Sequence, residues 1–272
     1  MTGGRGFIGT HTTNALRDQG ADVLAASRPT LDCTDPASLA AIGREHPITT
    51  IVHLAAAPLA TAEPLTALAQ NTTAVSLVLR AAAGWHTERI VLASTIGVYA
   101  GVEEYPWRED APLPLASPHP IPASKKIAEI LALASGLNVV VARIGAIWGP
   151  GARETSPFIA APALIRGTSA PVHAGDGADL LYAPDCGAAL AFLATAPALR
   201  HRVYNVSTGR PTTNAEFAAA LDGPRPPLIP GSSGPIPYLD TTRLRSEGWQ
   251  PRWTLPRAVA DYRSWLAAGN VR

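Results

Sequence analysis

The chain of 272 residues is long enough for one large domain, or a core with a smaller lobe, and can bury most of the surface its unfolded form exposes. With 22 Lys and Arg against 21 Asp and Glu, and no block of five like charges, it carries no electrostatic footprint for nucleic acid or an anionic membrane; a small molecule is the expected partner. Cys33 and Cys186 lie far apart without metal-ligand spacing, which argues against a disulfide scaffold or a bound metal and suits the cytoplasm, and neither a basic leader nor a run of about 18 apolar residues points to secretion or a membrane span.

In chain order, "TGGRGFIG" (2–9) opens into the helical pattern "THTTNALRDQG". Short apolar runs then alternate with helical segments: "ADVLAAS" (21–27), "TTIVHLAAA" (49–57), "RIVLAST" (89–95) and "LNVVVARIG" (137–145). This rhythm predicts strands near 22–26, 50–54, 89–94 and 138–143, joined by right-handed crossovers into an α/β, doubly wound, Rossmann-like parallel sheet. After Pro150 the texture becomes Gly- and Pro-interrupted, with helices expected near 157–166, 185–196, 213–221 and 255–267. The expected division is a dinucleotide-binding domain over 1–150, to which 178–205 returns, and a smaller substrate lobe from 151–177 and 206–272.

Glycines at 3, 6 and 9 permit a tight turn and a close backbone approach to a pyrophosphate, while the helix N-terminus that follows supplies unpaired amides. Further motifs are "LDCTDPASL" (31–39), "IVHLAA" (51–56), "NTTAVSLVLRAA" (71–82), "VLASTIGVYAG" (91–101), "SKKIAE" (124–129), "RIGAIWGPG" (143–151), "YNVSTG" (204–209) and "GWQP" (248–251). Together these resemble the extended short-chain dehydrogenase/reductase family of NAD-dependent epimerase/dehydratase type, whose members act mostly on nucleotide sugars. The resemblance runs through nearly the whole chain.

It implies a dinucleotide seated on Gly3, Gly6, Phe7, Ile8 and Gly9, with Asp32 and Cys33 at the adenine and Leu54, Ala55 and Ala56 against adenosine and pyrophosphate. Asn71 would serve the central helix, Thr95 would place a hydroxyl beside the reacting carbonyl, and Lys125 would hold the nicotinamide ribose. Plainer roles stand beside these: Asp32 starting a turn, Asn71 capping the helix after it, and Thr95 satisfying its own strand end. Ser27 and Arg28 occupy the place where an acidic residue would take the NAD ribose, which leans toward NADP over NAD unless Arg28 is simply a solvated loop residue.

Three departures qualify the resemblance. The glycine loop begins at residue 2, so the apolar run of a first, central strand is not in this sequence; either the natural start lies upstream, or its neighbours close around a gap or borrow a partner. Four residues before Lys125, where the family places its proton-donating tyrosine, stands Ile121; the replacement candidates are His119, Tyr99, Lys125 itself or water. Before Asp179, where an arginine usually meets the diphosphate, stands Ala178, leaving Arg143, Arg153 and Arg210 as candidates, while Asp185 is expected to cap the next helix. The expected function is an atypical NAD(P)-dependent epimerase, dehydratase or ketoreductase acting on a hydroxylated or keto small molecule; the alternative is non-redox isomerisation, elimination or cyclisation, or binding alone, in the same cleft. A homodimer is the assembly left open.

Overall fold

Residues 1–57, 63–117, 119–152, 171–221 and 227–269 are described by the computed structural model. Strands β1 (Thr50–His53), β2 (Arg89–Thr95), β3 (Val139–Ile144) and β4 (Val203–Val206) pair in parallel in that order. β2 and β3 are almost continuously apolar because both faces are covered, as parallel sheets require. On one face helices α1 (Phe7–Asp18) and α5 (Ala183–Thr195) pack with Val91, Ala93, Val140 and Ala142. On the other, α2 (Pro36–Glu45), α3 (Pro64–Gly84) and α4 (Pro120–Ala134) lie over Ile90, Leu92, Val139 and Val141. The period-two alternation of β2 and β3 therefore feeds two cores from one sheet. The fold is the expected doubly wound α/β one, and helix α6 (Leu255–Ala267) also falls where the pattern places it. The helix expected over 157–166 lies outside the described residues.

One expectation fails in an informative way. Residues 22–26 form no strand; only Ala26 makes a ladder bridge, to Thr2, which bridges His53 on its other side. Met1 and Thr2 thus occupy the last two rungs between the 22–26 segment and β1. The Met1 amine donates to Leu24 O (2.7 Å), Ala26 N to Met1 O (2.9 Å) and Thr2 N to Val52 O (3.0 Å). Further down the strands no residue fills that position, and a trough of about 880 Å³ opens between Asp22–Leu24 and Thr49–Thr50. The neighbours neither close the gap nor pair with each other, because two rungs hold them a full strand width apart.

A third cluster, Trp148 with Tyr182, Phe217 and Tyr262, forms the core of the C-terminal part. Asp185 does not cap α5, which starts on Tyr182 without a side-chain cap; its carboxylate accepts from the backbone amides of Arg252 and Trp253, both at 3.0 Å. It fixes the chain ahead of α6.

Candidate active site

Two clefts meet over the glycine loop at the carboxyl ends of the strands, where ligands collect in open parallel sheets. The first, about 510 Å³, is lined by Ser27, Arg28, Asp32, Cys33, Ala55 and Ala56. Leu54 and Asn71 also face it. The second, about 430 Å³, is lined by Phe7, Ile8, Gly9, Thr95 and Lys125, and Gly3, Gly6 and Leu54 border both. Every residue the sequence proposes for the cofactor thus faces one continuous surface.

The loop is shaped for close approach. Gly3 has φ +69°, and a Cβ there would sit 2.9 Å from Ala55 N; one at Gly9 would sit 2.1 Å from Gly3 O. Helix α1 starts on Gly6 with no side-chain cap, so its first amides and dipole end point where an anionic group is favoured. Asn71 does not cap a helix: it lies inside α3, accepts from Ala57 N at 2.7 Å, and leaves its buried Nδ2 without a partner in the first cleft. Asp32 accepts from Thr34 N (2.8 Å) and from the Thr34 hydroxyl, which hold its carboxyl below the usual range. The glycine cradle, the uncapped helix and the orphan amide fit a dinucleotide.

Thr95 ends β2, and its Oγ1 accepts from Gly97 N at 3.2 Å, so its own O–H remains to donate into the cleft. Lys125 comes one turn into α4 and donates from Nζ to Ala93 O at 2.8 Å. Solvent reaches part of its side chain through the cleft, yet burial of the amine brings its pKa down to about 8, against the opposing pull of Glu129. Lys125 and Lys126 are the only lysines in the sequence. Lys126, the next residue, is buried and bonds Pro114 O.

The structure brings Thr95 and Lys125 together and leaves the other two proposed catalytic residues out of the cleft. His119 is the exposed N-cap residue of α4. Tyr99 is fully buried; its hydroxyl donates to Asn205 Oδ1 (2.8 Å) and accepts from Arg143 (2.9 Å), and burial pushes its pKa up to about 12. Ile121 is 47% exposed and lines neither cleft, so it is not the apolar wall its position implies.

Sequence reasoning missed what lies behind the cleft floor. Glu129, one turn after Lys125, receives Arg143 through Nε (3.1 and 3.2 Å) and Nη2 (2.8 Å), and also the Ser94 hydroxyl. Arg143 is 5% exposed and Glu129 3%. Arg143 is therefore committed to a buried ion pair and is not a phosphate clamp. Glu109 accepts from Asn205 N (2.9 Å) and meets Arg243 at 3.5 Å, while Asn205 Nδ2 donates to Trp107 O and Asp240 O, which carries the network into the C-terminal part. Arg210 pairs with Glu216 at 3.5 Å and borders a separate cleft of about 470 Å³; Arg153 lies outside the described residues. Asp179 is tied to Thr208, Gly209 and Leu239 N–H groups. The Lys125–Glu129 spacing of four was the one visible signal for this network.

The family model described as the NAD dependent epimerase/dehydratase family matches residues 1–207. The chain belongs to this family. Its relatives include a UDP-glucose 4-epimerase of Azospirillum brasilense, 31% identical over 166 residues that cover 53% of this chain and 47% of the epimerase. A dTDP-glucose 4,6-dehydratase of Actinoplanes sp. is 29% identical over 220 residues, 75% of this chain and 68% of the dehydratase. The chain thus aligns with about half of the first relative and two thirds of the second. Among solved structures, MoeE5 in complex with UDP-glucose and NAD is 28% identical with a TM-score of 0.80, covering 99% of this chain and 98% of that one. A UDP-glucose 4-epimerase from Stenotrophomonas maltophila with bound NAD shares the fold at 21% identity and TM-score 0.82, over 98% and 97% of the chains. Among the described residues no helix is long and apolar enough to cross a membrane, and no group of three His, Cys, Asp or Glu could hold a metal ion.

Proposed function

We propose that the chain is an NAD(P)-dependent epimerase, dehydratase or ketoreductase in which Lys125 takes over the proton transfer that a tyrosine performs in its family. The observation that carries this reading is the continuous surface from Arg28 to Lys125 across the glycine loop. When bound, the nicotinamide group supplies hydride transfer. Gly3, Gly6 and Gly9 would hold the pyrophosphate against the amides of α1. Thr95 orients the substrate oxygen, and Lys125, brought near pH 8 by desolvation, gives that oxygen a proton or accepts one.

The favoured substrate is smaller than a nucleotide sugar. Ala178 and the engagement of Arg143 with Glu129 weaken a diphosphate clamp, and Ile96, Ile144, Ala146 and Ile147 make the cleft wall apolar. Ser27 and Arg28 at the adenosine end favour a 2′-phosphate, hence NADP over NAD.

Calorimetric titration with NAD(H) and NADP(H) tests the reading directly. Micromolar binding that drops at least about tenfold in Gly3→Ala is expected, because the added Cβ meets the Ala55 backbone at a left-handed φ. Failure to bind either cofactor overturns the proposal.

A further inference from the structure

The chain holds a lysine amine in an apolar cleft whose lining, among the described residues, contains no other ionisable side chain. Besides the glycine loop, the walls around Lys125 are Phe7, Leu54, Ile96, Ile144 and Ile147, with hydroxyls only from Ser94 and Thr95. The charged or titratable groups around the amine are Glu129 on its own helix and His53 at the end of β1. Glu129 is already saturated by Arg143 and Ser94. His53 shares a 2.8 Å hydrogen bond with Thr2 and is pushed down to about 3 by burial and then by Lys125, so it stays neutral. With Ile121 turned outward, none of the described residues places a phenol over the amine where the family has one.

We propose that Lys125 is a carbonyl-capturing amine, condensing with aldehyde or ketone groups of small molecules in the cleft to form an imine. In that step the amine nitrogen adds to the carbonyl carbon, the C=O bond becomes C=N, and the carbonyl oxygen leaves as water with both amine protons. No electrons change hands and no co-reactant is needed. A neutral lysine in a desolvated pocket is the form that adds to carbonyls. One N–H of the neutral amine can keep its bond to Ala93 O while the lone pair attacks, and Thr95 can hydrogen-bond the departing oxygen. The resulting imine nitrogen would activate the neighbouring C–H bonds, a route to isomerisation or elimination that bypasses hydride transfer. The inference shares Lys125 with the proposed redox function but does not need a bound dinucleotide.

The experiment is reductive trapping of the full chain with hydroxyacetone or propanal and cyanoborohydride, followed by peptide mass mapping. The protein has three amines, Met1, Lys125 and Lys126, each separable by fragment mass, and free Nα-acetyl-lysine serves as the reference. Lys125 is expected to label about tenfold or more faster than Lys126 and the reference near neutral pH, because an amine with a pKa of about 8 is about one tenth neutral at pH 7 where an ordinary lysine is neutral in less than about one part in a thousand. Labelling should rise through pH 8. Lys125→Arg should lose the adduct and Lys126→Arg should keep it; if Lys125→Arg fails to fold, direct mapping of Lys125 in the unaltered chain decides. Labelling of Lys125 at the rate of Lys126 or of the free reference overturns the proposal. NAD(H) and NADP(H) calorimetry on the same preparation separates the two readings: cofactor binding with Lys125 unlabelled sinks carbonyl capture alone, and labelling without cofactor binding sinks the redox function alone.

Discussion

At the carboxyl ends of β2 and β3 a network of satisfied polar groups backs the cleft around Lys125, whereas near the amino end of β1 the same sheet is open. Behind Thr95 and Lys125, Glu129, Arg143, Tyr99, Asn205 and Glu109 bond one another with the sheet and α4 around them. Beside Asp22–Leu24 and Thr49–Thr50, a trough of about 880 Å³ separates two backbones that lack a common partner, and Arg89 Nε lies buried there without one. The larger cavity is the poorer candidate for chemistry. It is a gap between two backbone segments, while the smaller cleft is built around a named hydroxyl and amine. Cavity size reports packing; a site needs groups held in place.

The contrast breaks most sharply at the ion pair. Arg143→Met leaves Glu129 buried without its partner and should cost about 3 to 5 kcal/mol, read from the urea midpoint. A loss below about 1 kcal/mol would mean that the network bears little of the cleft's rigidity. At the open end the effect should be a gain. Adding five alternating Val and Ala residues ahead of Met1 should raise stability by about 2 to 4 kcal/mol, since new ladder bonds and apolar burial outweigh the ordering of five residues. An unchanged melting temperature would show that the trough does not accept a strand.

The Met1 amine makes the open end pH-sensitive. Burial lowers it from its usual 8.0 to about 6, with Cys33 pulling weakly the other way. Between those values the unfolded chain binds a proton that the folded chain does not, so stability rises as pH rises from about 6 to about 8, by roughly 2 kcal/mol, and that gain is absent below about 6. Nα-acetylation should flatten this slope in urea melts at the two pH values. The smallest expected effect lies at the adenosine end: Arg28→Asp should weaken NADP binding about tenfold relative to NAD. Equal NADP affinity in the variant would show that Arg28 is only a solvated loop residue.

The sequence made the sheet legible wherever a strand had both neighbours. "RIVLAST" and "LNVVVARIG" are apolar on both faces and became β2 and β3 almost to the residue. "ADVLAAS" carries the same pattern and did not become a strand, because a ladder needs a partner and Met1 and Thr2 offer only two rungs. Most residues that line the two clefts stand in local features visible in the sequence: a glycine loop, a turn, strand ends. Arg143 and Asp185 were misplaced because their partners, Glu129 on another element and the backbone at 252–253, are set by tertiary contacts that no spacing reveals. Tyr99 looked available for the same reason, its bond to Asn205 spanning 106 positions.

That long-range bond has a consequence for the order of assembly. The polar network behind the cleft, from Ser94 to Arg143, is completed by Asn205, Asp240 and Arg243, so it stays unfinished while those residues are still inside the ribosome. At translation rates of about 5 to 20 residues per second, Arg143 waits roughly 5 to 20 s for Arg243 to be made. During that interval Arg143 can pair with Glu129 and hold Tyr99 and Glu109 O, but Asn205 and Arg243 are not yet there to complete the network. The walls around Lys125 come from residues 3–147, so the amine is enclosed first and the network behind it is locked last, by the end of the polypeptide.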